Sequence, residues 1–245
     1  MLLALNRVLF SVCEDETRRA LNAVSINNDR FISTDGKMIS IFTSPIKLGL
    51  ENVIIPQRSI APLIRVLSKF ETETFDFQNQ AEQPFMYFKI ADTVFSIRKV
   101  TIKFPESRLS KLVSDTKENN TVKAKFNRTA MIGAIERVRL NANEDSRAIY
   151  FCFEKNSCVL KTQDEFGNYS VEKIPASLDS QDTDKVEVFY NWLNILDCLK
   201  AMNGEGVDAR FAVKSPNKSP MYIGESTIDA VILPIETAFQ ADTLK

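Results

Sequence analysis

Histidine is absent from this sequence of 245 residues, and its absence removes whole classes of chemistry. Histidine is the commonest general base and metal ligand in proteins, so Ser-His and Cys-His catalysis and histidine-based zinc sites are excluded. Glycine is scarce, with seven residues, and neither a GxGxxG nor a GxxxxGK[ST] phosphate loop occurs. We therefore predict a protein that is not an enzyme, with no catalytic residues, no metal and no cofactor.

Long apolar runs and paired cysteines are also lacking. No segment approaches the roughly 18 apolar residues of a membrane span. The apolar start at residues 1–5 is soon followed by Arg7 and by acidic residues, which predicts an amphipathic first helix instead of a signal peptide. We expect a cytoplasmic protein with no membrane association. The cysteines lack CxxC spacing and lie in apolar surroundings, which predicts buried free thiols: Cys13, Cys152, Cys158 and Cys198.

The overall composition, 44% apolar and 26% charged, is that of a soluble globular protein with room for one large domain or two ordinary ones. The net charge is -1, so a nucleic-acid partner is not indicated by bulk charge, although a basic face on an acidic body is compatible with it. The acidic run SLDSQDTD at 177–184 is interpreted as a solvated loop in preference to a metal loop.

The order of elements in the first half recurs in the second at a spacing of about 130 residues. Arg7 precedes Arg137 by 130, and amphipathic helices at 59–70 and 190–203 match at 132. Each half also has a hairpin and a strand-rich tail. This predicts an α+β protein with two homologous domains, each with two helices on antiparallel sheet, with chance similarity of the halves as the alternative. We place the domains at 1–116 and 122–245, divided by the polar stretch 114–120.

The stretch STDGKMIS at 33–40 predicts a β-hairpin, because Asp35-Gly36 favours a two-residue turn with positive φ. A cation and two large apolar side chains, Lys37, Met38 and Ile39, follow the turn at once. Either these residues cap the sheet of an ordinary hairpin, or a partner binds there.

Six short motifs in one order resemble the bacterial DNA sliding clamp, the β subunit of the replicative polymerase. The family's Thr-Asp-Gly-His-Arg-Leu motif matches residues 34–39, its Arg-x-x-Leu-Asn segment residues 18–22, and its Ile-Pro-Arg-Lys helix start residues 55–58. Its Phe-Pro-Asp junction matches 104–106, with weaker matches at 141–144 and 233–237. The resemblance covers nearly the whole chain as the family's second and third domains.

Several departures accompany the resemblance. The family has three domains in each chain, and the first domain and the strand that opens the second are not matched here. Lys37 and Met38 replace the histidine and arginine of the turn motif, and Glu236 replaces the terminal basic residue. A short extension follows where the family ends.

The resemblance implies two sets of binding residues. Helices that line the hole of a ring would attract DNA phosphates without sequence preference. These DNA-binding residues are Arg7, Arg18, Arg19, Arg58, Arg65, Lys69, Arg128, Arg137, Arg139 and Lys200. The alternative is an ordinary solvated helix face. An apolar groove for short linear peptides would comprise Leu21, Thr34, Gly36, Lys37, Met38, Ile39, Pro105, Leu109, Ser110, Pro220, Val231, Leu233, Pro234 and Ile235.

The function implied is that of a sliding clamp, a processivity factor that encircles duplex DNA and tethers the replicative polymerase, the clamp loader and repair proteins. Two domains cannot close a six-domain ring, so we predict self-association as a head-to-tail homotrimer, with Leu140 at the subunit interface. The alternative is a clamp-like interaction protein that binds clamp-motif peptides or another clamp without encircling DNA.

Overall fold

The computed structural model describes residues 1–70 and 74–236. The chain divides into two compact units that meet between Ser110 and Lys111. The predicted domain limits, 1–116 and 122–245, remain a proposal. The predicted C-terminal extension falls within residues 237–245 and so lies outside the described residues. No helix in the described part of the chain is long and apolar enough to span a membrane.

The first unit contains two helices and seven antiparallel strands. The helices are α1 (Leu2–Val8) and α2 (Gln57–Lys69). The strands are β1 (Ala23–Asn27), β2 (Arg30–Thr34), β3 (Met38–Thr43), β4 (Val53–Pro56), β5 (Asp76–Gln78), β6 (Phe85–Ile90) and β7 (Thr93–Arg98). Within this unit the strands form two groups, in the orders β4-β1-β2-β3 and β5-β6-β7.

The core of the first unit lies between the helices and the strands. The inward faces of α1 and α2 place Leu5, Val8, Ile60 and Leu63 out of contact with solvent. Full burial of an aliphatic side chain stabilises a fold by about 1.5–3 kcal/mol. The amphipathic pattern therefore fixes which face of each helix is available for function.

The helix α3 (Glu106–Asn119) crosses the boundary of the two units. The sequence placed a polar break between the domains at 114–120, and residues up to 119 of that stretch are helical. Leu109, Val113 and Thr116 are buried at helical spacing, and Lys111 pairs with Asp115 at 3.0 Å one turn away. A segment poor in apolar residues can therefore form a helix, because one narrow stripe of its side chains is buried.

The second unit contains two helices and one continuous antiparallel sheet. The helices are α4 (Arg128–Val138) and α5 (Trp192–Ala201). The strands are β8 (Val122–Asn127), β9 (Ala148–Glu154), β10 (Ser157–Gln163), β11 (Tyr169–Asp179), β12 (Lys185–Asn191), β13 (Gly206–Phe211), β14 (Met221–Gly224) and β15 (Ile228–Ile232). Their order in this unit is β12-β9-β10-β11-β8-β13-β14-β15.

The two units repeat one plan, as the sequence predicted. In each, a helix ends in a short 3-10 turn, at Leu9–Ser11 and again at Arg139–Asn141. A strand hydroxyl then donates to the last helical carbonyl: Ser33 Oγ to Val8 O at 2.6 Å, and Thr162 Oγ1 to Val138 O at 2.7 Å. The α+β class with two homologous helix-on-sheet domains is confirmed. The four cysteines are buried free thiols.

The hairpin at 30–43 is confirmed, but its turn differs from the prediction. Thr34 pairs with Ile39, so the loop holds four residues instead of two, and only Gly36 has a positive φ, 87°. Asp35 Oδ1 accepts the N–H groups of Lys37 and Met38, both at 2.7 Å. A side chain that satisfies two backbone donors stabilises this longer turn.

Candidate functional site

A stripe of cations runs along the exposed side of α2. Arg58, Arg65 and Lys69 are exposed and separated by seven and four residues, so they lie within about 40° of one another around the helix. The helix contains no carboxylate to neutralise them. Within α2, these three predicted DNA-binding residues therefore form one basic face.

A cleft of about 520 Å³ extends this face in the first unit. Arg58 lines the cleft together with Arg19, and the remaining walls are Glu16, Asn22, Pro56, Val100, Thr101 and Ile102. A guanidinium group presents a planar fork of donors that suits phosphate oxygens, and this cleft has two of them. The structure thus brings together two residues that are 39 positions apart in sequence.

Arg18 lies on the hairpin turn, apart from that cleft. Its Nη1 donates to Asp35 O at 2.7 Å, and its guanidinium packs where a side chain at Gly36 would have to sit. Gly36 is therefore favoured by its positive φ, and a side chain at this position would displace the Arg18 guanidinium. Arg18, predicted to contact DNA, serves here to hold the turn.

Three predicted DNA-binding cations of the second unit are paired with two carboxylates. Arg137 Nε lies 2.7 Å from Glu172 Oε1, and its Nη2 donates to Glu172 Oε2 at 3.1 Å. Glu136 accepts from Lys200 at 2.8 Å and faces Arg139 Nε at 2.6 Å. This surface therefore has less free positive charge than the stripe on α2.

The ion pairs change the acidity of the carboxylates. The hydrogen bond from Lys200 holds the pKa of Glu136 below its usual value, and the hydrogen bond from Arg137 does the same for the pKa of Glu172. Asp197 on α5 has a pKa raised by burial. Glu172 lies on β11, 35 residues from Arg137 in sequence, and sequence reasoning missed it.

Arg139 is held from two sides. Its guanidinium carbon lies 5.0 Å from the centre of the Trp192 ring, a cation–π distance. The contact of its Nε with Glu136 is a close ion pair that lacks hydrogen-bond alignment. Arg139 is thereby fixed in place at the junction of α4 and α5.

Two further predicted DNA-binding residues have structural roles. Arg128 donates through Nε to Gly204 O at 2.9 Å and through Nη1 to Leu199 O at 3.4 Å, which satisfies carbonyl groups at the end of α5. Arg7 is buried on α1. Neither placement favours phosphate contact.

The predicted groove residues of the first unit surround the hairpin turn and the start of α3. Gly36 and Lys37 are exposed, whereas Thr34, Met38, Ile39 and Leu109 are buried and Leu21, Pro105 and Ser110 are half-buried. Met38 is 5% exposed, so it lies in the core instead of standing free beside the tip. Thr34 Oγ1 accepts from Gly36 N at 3.0 Å and donates to Met38 O at 2.6 Å. The exposed part of this surface is therefore the rigid turn itself.

The remaining groove residues belong to the second unit: Pro220 directly precedes β14, Val231 lies in β15, and residues 233–235 follow β15. Val231 is buried, Pro220, Pro234 and Ile235 are half-buried, and Leu233 is 39% exposed. Ile235 N donates to Phe189 O of β12 at 2.9 Å, which fixes the end of this segment. Leu233 is thus an exposed apolar side chain directly after β15, in a segment that this hydrogen bond holds against β12.

Leu140, the predicted interface residue, is 77% exposed just after α4. Phe166, which is 81% exposed, lines the same cleft of about 330 Å³. Two large apolar side chains with so much exposed surface form a patch that favours contact with another protein. The sequence identified Leu140 but not Phe166, which lies in a hairpin loop.

Comparison with known proteins supports the resemblance. No protein-family model matches the chain. The chain is 24% identical over 243 residues to the beta sliding clamp of Rickettsia bellii, which covers 93% of this chain and 62% of that protein. It is 26% identical over 244 residues to that of Staphylococcus aureus, covering 93% and 60%.

Among solved structures, the C. crescentus beta sliding clamp matches with a TM-score of 0.84 at 20% identity, over 96% of this chain and 63% of that chain. The chain therefore spans about three-fifths of the length of the relatives that it matches.

Proposed function

We propose that this chain, which resembles the bacterial beta sliding clamps in sequence and fold, acts as a DNA sliding clamp. In this role it is a non-catalytic accessory factor that holds a polymerase on duplex DNA in the cytoplasm. The observation that carries the proposal is the basic stripe of α2, together with the cleft that Arg19 and Glu16 share with Arg58. Because phosphate contacts are independent of sequence and individually weak, such a face permits sliding.

The proposed DNA contacts differ in strength between the units. Arg19, Arg58, Arg65 and Lys69 are exposed, and among the described residues none of them is in an ion pair. Arg137, Arg139 and Lys200 must exchange their carboxylate partners for phosphates. We assign the main DNA attraction to the first unit.

A ring closed by self-association is the proposed means of retention on DNA. Head-to-tail contacts that close by rotation would give a trimer of two-domain chains, with the patch of Leu140 and Phe166 at the contact. Retention by topology makes a sharp prediction: the assembled protein stays on nicked circular DNA and is lost once the circle is cut. Loss at equal rates from circular and linear DNA would refute encirclement.

The test variant for this assay lies on α2 and its control, with the same change of charge, on α3. Lys69→Gln should weaken loading on circular DNA and reduce its salt dependence. Lys111→Gln, an exposed lysine on α3, removes charge from a helix outside the proposed contacts. Equal losses in both would show that bulk charge, and not the α2 face, governs binding.

Partner binding through short linear peptides is proposed for the two groups of groove residues. In the C. crescentus clamp structure, polyethylene glycol is bound to a proposed beta-motif tethering region of that protein. In this chain, Leu233 supplies exposed apolar surface and the turn at Gly36 and Lys37 supplies a rigid polar edge. The proposed partners are the replicative polymerase, the clamp loader and repair proteins.

A second candidate function is a clamp-like interaction protein that binds peptides or another clamp without encircling DNA. The specific observation that favours it is the pairing of Arg137, Arg139 and Lys200 with Glu172 and Glu136. A protein that binds clamp-motif peptides but dissociates from circular and linear DNA at equal rates would have this function.

A further inference from the structure

The sheet formed by β5, β6 and β7 in the first unit has one buried face and one outer face. Successive side chains of a strand point to opposite faces of its sheet. The buried side chains of β6 and β7 define the inner face, and they are Met86, Phe88, Ile90 and Ile97. The alternate residues of the two strands form the outer face, and they are Phe85, Tyr87, Lys89, Val94, Ser96 and Arg98.

Two aromatic rings lie next to each other on this outer face. Phe85 is 37% exposed and Tyr87 is half-buried, and their ring centres are 6.4 Å apart. The outer face of an antiparallel sheet is commonly polar, so neighbouring rings at outward positions indicate a binding surface. Exposed rings of this kind offer π-faces on which any nucleic-acid base can stack.

The spacing of the two rings favours unpaired bases over a duplex. Successive bases of one duplex strand lie roughly 3.4 Å apart. The ring centres of Phe85 and Tyr87 are 6.4 Å apart, so each ring can stack its own base only when the strand is extended. The bases of a single strand can be splayed in this way, because no partner strand holds them in a stack.

Cations lie on both sides of the two rings. Arg98 is directly opposite Phe85 in the register of β6 and β7, and Lys89 follows Tyr87 by two residues. Both cations are exposed, and among the described residues neither is in an ion pair. The three strands contain one carboxylate, Asp76 of β5, which is opposite Lys89. A strand rises about 3.3 Å per residue, so Phe85 and Lys89 are about 13 Å apart and a cation stands at each end of a two-base segment.

We propose that the outer face of β5, β6 and β7 binds a single strand of nucleic acid, with bases stacked on Phe85 and Tyr87 and phosphates held by Lys89 and Arg98. The contacts are to base faces and phosphates, so binding requires no particular sequence. This site goes beyond the proposed function and shares no residue with the duplex contacts assigned to α2 and its cleft. Its test is therefore independent of retention on circular DNA.

The test is fluorescence anisotropy of labelled oligothymidine with the full chain at low salt, with a thermal melt to verify folding of each variant. Phe85→Leu keeps an apolar side chain and removes the ring, so it should weaken binding about fivefold or more. Tyr169→Leu is the matched control, because Tyr169 is an exposed aromatic residue on a strand of the second unit. No binding by the parent chain, or equal losses in the two variants, would overturn the proposal.

The salt dependence of binding tests the two cations. Lys89→Gln and Arg98→Gln should each reduce the slope of log binding constant against log salt by about 0.7, the value for one contact with a single strand. Lys47→Gln removes an exposed lysine from a loop of the same unit and should leave the slope unchanged. Slopes for Lys89→Gln and Arg98→Gln equal to that of the parent would show that the phosphates lie elsewhere and would overturn the assignment.

Competitors separate this site from the α2 face and from binding by charge alone. An equal concentration of unlabelled duplex DNA should not displace oligothymidine, and neither should polyglutamate of the same charge. Displacement by either competitor would overturn the proposal. Oligouridine and oligodeoxyuridine should bind alike, because none of the assigned contacts is to the sugar. A preference of about tenfold or more for either would contradict this set of contacts.

Discussion

Glu136 neutralises two proposed DNA contacts at once, so its removal gives a measurable prediction. In Glu136→Gln, Lys200 and Arg139 lose their carboxylate partner and become available to phosphates. Each added cation–phosphate contact steepens the plot of log binding constant against log salt by about 0.9. Two contacts steepen it by about 1.8, which is about a tenfold greater loss of affinity between roughly 50 and 200 mM salt.

The assay is fluorescence anisotropy of labelled duplex DNA across that salt range, with a thermal melt to verify folding. Each exposed pair contributes about 0.2–1 kcal/mol, so the variant should remain folded. Asp115→Asn is the matched control, because it frees Lys111 on α3 with the same change of charge. A slope for Glu136→Gln equal to that of the parent or of the control would refute the reasoning that these cations face DNA.

Three other predictions follow from the same surfaces. DNA affinity measured by anisotropy should be nearly constant from pH 6 to 8, because the chain has no histidine. The pKa of Glu172 is lowered, so its ion pair with Arg137 is lost only when the pH falls well below 6. A steep pH dependence of the affinity would contradict this. Leu140→Glu with Phe166→Glu should dissociate the oligomer by light scattering, and an unchanged mass would exclude this patch as the interface. Leu233→Glu should weaken binding of a clamp-motif peptide at least tenfold by calorimetry, whereas Leu112→Glu, equally exposed on α3, should not.

Local patterns in the sequence were sufficient for much of the fold. The helices at 57–69 and 192–201 follow from apolar periodicity, and the repeat follows from matches at 130 and 132 residues. The α2 stripe was also predictable, since the positions of Arg58, Arg65 and Lys69 on one face depend only on helical spacing. The helix α3 and the strand β8 were missed, because their narrow buried stripes lie within a polar segment.

The sequence by itself determined the two helix-on-sheet domains, the hairpin at Asp35-Gly36 and the residue types available to bind DNA. Only the tertiary structure decided which cations are free, because the partner of Arg137 is Glu172, 35 residues away on a strand of the sheet. It also decided that Met38 is in the core and that Arg18 holds the turn. Helical and strand periods are set by neighbours a few residues apart, whereas burial and ion pairing are set by packing between distant segments.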